Sequence, residues 1–112
     1  MIHPTTKELL TYVLVNGRQP LWLLEIDLAG AMLAEADLSA ANLTRARLDG
    51  ANLGAATLIK AQLTEASLRE AVLIKANLSN ADFSTAKLHG ANMTEAKLTD
   101  TVFTKATYDS RT

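Results

Sequence analysis

Residues 41–58 read ANLTRARLDGANLGAATL and place a leucine at every fifth position: Leu43, Leu48, Leu53 and Leu58. In an α-helix, five residues advance the side-chain direction by about 500°, so these leucines would wind around every side of the helix. In a β-strand, side chains alternate between two faces, so an odd repeat sends each leucine to the face opposite the previous one. Neither regular element gives these leucines one common buried side.

The five-residue period extends far beyond this stretch. From Leu21 the chain divides into eighteen consecutive units without an insertion, and alanine comes first in every unit from Ala31 to Ala96. The third residue is always Leu, Phe, Met or Tyr, whereas positions two, four and five are mixed and mostly polar. Positions one and three of a unit share a face by strand alternation. A bend repeated in each unit then turns the chain into a coil with alanines and leucines pointing inward.

A second, weaker period of twenty residues indicates the size of the coil. Gly30, Gly50 and Gly90 occupy the fifth position of units that lie twenty or forty residues apart, and Glu70 fills the remaining slot. The two phenylalanines are also twenty residues apart. Four units per turn of the coil fit both observations.

The stretch ADLSAANLTRARLDGANL, residues 36–53, resembles the pentapeptide repeat proteins, whose consensus is A(D/N)Lxx. The resemblance covers residues 21 to about 110. It implies an all-β solenoid, namely a right-handed quadrilateral β-helix of about four and a half coils. We therefore predict an N-terminal capping helix and link over residues 1–20, the pentapeptide repeat β-helix over 21–110 and a tail over 111–112.

The N-terminal segment has the signals of a helix that covers the first coil. An open coil exposes core and unpaired backbone at each end, so terminal repeats need caps. Residues 4–17, PTTKELLTYVLVNG, predict a short helix in which Thr5 is the N-cap, Glu8 completes a capping box and Gly17 ends the helix. A signal peptide is the alternative interpretation of the apolar stretch 9–15.

The C-terminal end has no such helix. Its last two units substitute Phe103 and Tyr108 for leucine. These larger rings either plug the last coil or pair with a second copy, because some members of the family that this chain resembles dimerise end to end. An end-to-end homodimer through the C-terminal coil is therefore one expected partner.

Composition restricts the other partners. Eleven Lys and Arg against twelve Asp and Glu give a net charge of −1, which favours neither nucleic acid nor an anionic membrane. No run approaches the roughly 18 apolar residues that span a bilayer. The chain has no cysteine, which excludes disulfides and thiolate metal sites. We expect a cytoplasmic protein without nucleic-acid or membrane partners.

The sequence offers no arrangement of residues for catalysis. His3 and His89 are the only histidines, and neither has a second metal-ligating residue at a suitable spacing. The serines and threonines lie in outward repeat positions without an arranged base. We therefore expect no enzymatic activity, no cofactor and no metal.

Two hypotheses of function remain. The first is a small rigid scaffold or protein-interaction module, with Val72, Ile74 and Ile59 as a possible exposed partner contact on adjoining faces. The resemblance also implies a second: some pentapeptide repeat proteins act on type II topoisomerases as DNA mimics with a long acidic surface. The balanced charge, the short solenoid and five interrupting lysines disfavour this alternative; they are Lys60, Lys75, Lys87, Lys97 and Lys105.

Overall fold

The structure, a computed structural model, describes residues 22–112, and this part of the chain contains neither a helix nor a continuous strand. Its backbone is held by single parallel β-bridges that always join residues twenty apart, from Trp22 with Asn42 to Lys87 with Thr107. The twenty-residue period of the sequence is therefore the length of one rung of a β-helix. The helix predicted over 4–17 lies outside the described residues.

The bridges stay isolated because the chain turns a corner in every unit. The first-position N–H donates to the third-position C=O of the preceding unit, as from Ala56 to Leu53 at 3.0 Å. Every fifth-position residue from Glu25 to Lys105 has a positive φ, which is 54–63° at the non-glycine positions. A β-turn with a positive φ at its third residue alone has the pattern of type II. Each unit thus leaves only its second residue free to bridge.

Successive rungs are tied by a regular ladder of backbone hydrogen bonds. Around Val72, for example, the Leu53 N–H donates to the Val72 C=O at 2.7 Å, and the Val72 N–H donates to the Ala51 C=O at 2.9 Å. A further bond joins the corners, as from the Ala55 N–H to the Ile74 C=O at 2.8 Å. Four stacked walls result, and we number them 1 to 4 by the units that begin at Ala41, Ala46, Ala51 and Ala56.

The core consists of the first and third residues of each unit. Alanines and leucines at these positions are almost completely buried from Ala31 to Ala91. Strand alternation sends both side chains inward, and the small alanine leaves room for leucines from four walls. On wall 1, Phe83 and Phe103 stack with ring centroids 5.4 Å apart and an interplanar angle of 15°.

The second position carries a structural role that the sequence alone did not indicate. Where it is Asp or Asn, the side-chain oxygen accepts a hydrogen bond from the fourth-position N–H of the same unit. This N–H has no regular partner in the ladder, so the carboxylate or amide closes the corner as an Asx turn does. The residues that do so are Asp27, Asp37, Asn42, Asn52, Asn77, Asp82 and Asn92.

Candidate interaction surfaces

The predicted apolar contact lies on two adjoining walls but is not prominently exposed. Val72 and Ile74 belong to wall 3, and Ile59 belongs to wall 4 in the preceding rung, which is nearer the N-terminus. All three side chains are half-buried. Val72 bridges both Asn52 and the residue twenty positions further on, so its neighbours on the wall cover part of it. Val72 and Ile74 therefore share one wall, whereas Ile59 lies in the next corner, and the three half-buried side chains do not form a raised apolar patch.

Charged residues on walls 1 and 2 pair between rungs. Arg45 Nη2 lies 2.8 Å from Glu25 Oε1. On wall 2, Arg47 lies between two carboxylates, 3.5 Å from Asp27 and 3.3 Å from Asp49. Glu25, Arg45, Asp27 and Arg47 are solvent-exposed, so the two pairs between rungs each stabilise the fold by at most about 1 kcal/mol. They make the walls mixed in charge, without a continuous acidic stripe along either column.

Asp49 also replaces a missing side-chain acceptor one rung above. Ser67 occupies the second position of its unit, where Asp or Asn would otherwise bond the corner N–H. The Asp49 carboxylate instead accepts hydrogen bonds from Ser67 Oγ at 2.5 Å and from the Arg69 N–H at 3.0 Å. Burial of Asp49 raises its pKa, but the hydrogen bonds from Ser67, Arg69 and Arg47 outweigh burial and hold the pKa below its ordinary value.

The C-terminal end exposes apolar side chains that the repeat pattern directs inward. Leu98 is 44% exposed and Tyr108 is 71% exposed, although both occupy inward third positions. They line an open cavity of about 270 Å³, which is also lined by Leu88, Met93, Phe103, Ala106 and Thr112. In the first described rung, Leu33 and Leu38 at the same inward position are completely buried, and the exposed apolar residues Trp22, Leu24 and Met32 occupy outward positions.

The same end presents unpaired backbone groups. On lower rungs, the C=O of position one and the N–H of position three are bonded to the rung above. At the end these groups have no partner within residues 22–112, for instance the Ala96 C=O and the Leu98 N–H. The end is also stepped, because the bridges of walls 1 and 2 extend to Val102 and Thr107 whereas those of walls 3 and 4 stop one rung lower.

Within residues 22–112, no group of three His, Asp or Glu side chains is arranged to hold a metal ion. The same part of the chain has no helix long and apolar enough to cross a membrane. His89 lies in a corner of wall 2, where its Nδ1 atom is buried and lacks a hydrogen-bond partner among the described residues.

A family profile described as "Pentapeptide repeats" matches residues 23–58, 46–84 and 66–104. Among solved structures, the chain is similar to the pentapeptide repeat protein Rfr23 from the cyanobacterium Cyanothece 51142, with 34% identity and a TM-score of 0.77 over 78% of this chain. It is also similar to a pentapeptide repeat protein from the thylakoid lumen of Arabidopsis thaliana, with 31% identity and a TM-score of 0.75 over 79% of this chain. No curated protein matches the chain significantly.

A third similar structure is HetL from Nostoc sp. strain PCC 7120, a pentapeptide repeat protein involved in the regulation of heterocyst differentiation, with 37% identity and a TM-score of 0.56 over 78% of this chain. The present chain spans only 59%, 61% and 42% of the lengths of these three proteins, in the order given. Such neighbours form right-handed quadrilateral β-helices. The matched profile, the twenty-residue rungs and the inward Ala and Leu columns agree, and the chain belongs to the pentapeptide repeat family.

Proposed function

We propose that this chain is a non-enzymatic protein-interaction module whose C-terminal end binds a second copy of itself. The observation that carries the proposal is the exposure of Leu98 and Tyr108 at inward positions of an open, stepped end. Exposed apolar residues in a contiguous cavity favour a partner over water.

The free backbone groups support a second copy as the partner. Each wall of the end offers an acceptor at position one and a donor at position three, flanking a bridging residue such as Lys97. Two such walls facing each other in antiparallel orientation match donor to acceptor on both sides. The step supports the same arrangement. A two-fold axis places walls 1 and 2 of one copy, which extend one rung further, over walls 3 and 4 of the other copy. A contact of this kind is self-complementary and stops at a dimer.

Sedimentation velocity on the 112-residue chain tests this proposal. Between about 5 and 200 µM, the chain should shift from its 12.0 kDa monomer towards twice that mass. The double variant Leu98→Glu with Tyr108→Glu should remain monomeric, because both side chains are already exposed and charge there opposes contact. Met32→Glu is the matched control, since Met32 is exposed in the first rung, far from this end.

The lateral candidates are tested in the same experiment. A wild-type chain that stays monomeric throughout this range would contradict self-association. A dimer that persists in the double variant but dissociates in Val72→Lys would move the contact to Val72, Ile74 and Ile59. Retained folding of each variant is checked by its chemical denaturation curve.

The alternative of DNA mimicry towards type II topoisomerase has weaker support. Arg45 and Arg47 are paired with carboxylates on walls 1 and 2, so the acidic groups there do not form an unbroken column. A gyrase supercoiling assay with added protein should therefore show neither inhibition nor protection. Dose-dependent inhibition that needs the acidic side chains would favour this alternative instead.

The proposal also includes about four and a half coils and a helical cap over residues 4–17. The regular bridges from Trp22 to Thr107 support the coil count, and the capping signals of the sequence support the helix. Leu10→Pro should reduce the helical contribution to the far-UV circular dichroism spectrum. An unchanged spectrum would argue against the cap.

A further inference from the structure

The last four residues leave the path of the coil and fold back onto wall 2. The bridges end at Thr107, and the Thr112 N–H donates to the Asp109 C=O at 3.0 Å, which turns the chain. On lower rungs of this wall, the fifth-position N–H donates to a main-chain carbonyl, as from Gly50 to Arg69 at 2.8 Å. At Gly90 the N–H donates instead to Asp109 Oδ1 at 3.1 Å. A side-chain carboxylate thus takes the place of the carbonyl.

Three further contacts hold this segment in place. Thr112 Oγ1 donates to the Leu88 C=O at 2.9 Å. Arg111 Nη2 lies 2.8 Å from Asp109 Oδ2, and Arg111 Nη1 pairs with Glu70. Glu70 lies two rungs below the level of Asp109, so Arg111 reaches past the intervening rung to a carboxylate deeper in the stack.

The residue on the intervening rung is Gly90, and its lack of a side chain makes this reach possible. A Cβ atom at Gly90 would lie 2.6 Å from Glu70 Oε1, which is far inside van der Waals contact. At Gly30 and Gly50, in the same column, a Cβ would meet nothing within 4 Å. The interruption of the glycine column by Glu70 therefore has a structural reason: the carboxylate of Glu70 extends over Gly90 towards Arg111.

We infer that residues 109–112 form an electrostatic clasp, anchored on Glu70 through Arg111, which holds the last level of the solenoid and limits exposure of its apolar end. Thr112 lines the apolar cavity and lies over Leu88, which is only 2% exposed. When the clasp opens, Leu88 and Met93, which already line the cavity, become more exposed. Because Arg111 and Glu70 are both solvent-exposed, their ion pair is weak and screened by salt, so the clasp is poised to open before the rest of the fold.

Amide hydrogen exchange followed by NMR tests the clasp. The amides of Leu88, Gly90 and Thr107 report on it, since each is bonded across the last level, whereas Leu53 reports on the middle of the stack. Arg111→Ala should speed exchange at the three reporters by about three- to tenfold and leave Leu53 unchanged. Arg47→Ala is the matched control, because Arg47 also joins two carboxylates on wall 2 but lies inside the stack.

A second variant perturbs the clasp without removing any of its charged side chains. Gly90→Ala should displace the Glu70 carboxylate and speed exchange at Leu88 and Thr107, whereas Gly50→Ala should not. About 1 M NaCl should speed the same reporters in the wild-type chain but have no further effect in Arg111→Ala. Reporters that exchange at the wild-type rate in both Arg111→Ala and Gly90→Ala, or exchange that rises equally at Leu53, would overturn the clasp.

The experiments test the dimer and the clasp independently of each other. Hydrogen exchange is measured at a concentration at which sedimentation shows a single species, so the clasp stands or falls whether or not the chain dimerises. Conversely, the sedimentation variants Leu98→Glu and Tyr108→Glu leave Asp109, Arg111 and Glu70 in place.

Discussion

At the scale of single residues, the corners of this solenoid have an unusual backbone. Every fifth position from Glu25 to Lys105 adopts the left-handed conformation, yet glycine occupies only three of them. This conformation costs ordinary L-residues about 1–2 kcal/mol. The corner hydrogen bonds and the buried core on either side offset this cost unit by unit. The fold therefore tolerates local strain at regular intervals, most of all at a β-branched residue such as Thr85.

Thr85→Gly should stabilise the chain. Thr85 is β-branched and has a φ of 58°, and glycine adopts this conformation without steric cost. After the greater entropy of glycine in the unfolded chain is subtracted, the free energy of unfolding should rise by about 0.5–1 kcal/mol. Chemical denaturation measures the change. Thr64→Gly is the control, because Thr64 lies at a fourth position with negative φ and should lose stability instead.

The sequence predicted the inward residues but not the role of the second position. The columns of alanine and leucine follow from strand alternation, and the structure buries residues such as Ala51 and Leu53 completely. Asp and Asn at position two alternate with Arg, Thr, Ser, Val and Lys along the chain, so the column looks merely polar. Its hydrogen bond depends on the direction of the fourth-position N–H, which only the corner geometry fixes.

Asn77 offers a test of that hydrogen bond. Its Oδ1 accepts from the Ser79 N–H at 3.1 Å and from Ser79 Oγ at 2.7 Å, and Ser79 is only 8% exposed. Asn77→Ala should lower the free energy of unfolding by about 1–2 kcal/mol, because two donors lose their acceptor in a mostly buried corner. Thr57→Ala, at the same position one rung lower on wall 4, should cost less than half as much. Equal losses in the two variants would show that the corner bond contributes little.

At the scale of the unit and its rung, the wall-to-wall pairs show where sequence spacing is informative. Glu25 and Arg45 lie twenty residues apart, which is the length of one rung, and the structure pairs their side chains. The contact of Asp49 with Ser67 and Arg69 escaped prediction, since it replaces an acceptor that the second position of that unit lacks. Residues 111–112 form the predicted tail, in which Arg111 pairs with Glu70 past Gly90 and Thr112 donates a hydrogen bond to the Leu88 C=O.

The Asp109 carboxyl should titrate at unusually low pH. Hydrogen bonds from the Arg111 guanidinium, which also contacts Glu70, lower the pKa of Asp109 from 3.8 to about 2. Because the folded-state pKa lies below the unfolded value, the carboxylate's contribution to the closed C-terminal segment is complete above pH 3.8 and is lost as the pH falls through about 2. Carboxyl NMR should give the low midpoint in the wild-type chain and a midpoint nearer 3.8 in Arg111→Ala. An identical midpoint in both chains would contradict the assigned cause.

At the scale of the whole molecule, stability varies along the solenoid axis. In a repeat stack each rung contacts only its neighbours, so a middle rung is covered on both sides and the last rung on one. Wall 4 displays this directly, since Leu58 is completely buried and Leu98 is 44% exposed at the equivalent inward position. The repeat pattern predicts the stacking, but it gives every unit the same environment. The difference in exposure between equivalent leucines depends on what covers the end of the stack. The repeat pattern carries no information about that cover.

Leu58→Ala and Leu98→Ala should therefore separate folding from association. Loss of the Leu58 side chain leaves a cavity in a closely packed interior and should lower the free energy of unfolding by about 2–5 kcal/mol. Loss of the Leu98 side chain removes contacts on one side only and should cost roughly 1 kcal/mol in the monomer. If the open end binds a second copy, Leu98→Ala should weaken dimerisation in sedimentation experiments, whereas Leu58→Ala should leave the dimer of the folded fraction intact. If the two variants lose equal stability as dilute monomers, that result would contradict the one-sided packing of the last rung. If Leu98→Ala dimerises as the wild-type chain does, the contact between copies lies elsewhere.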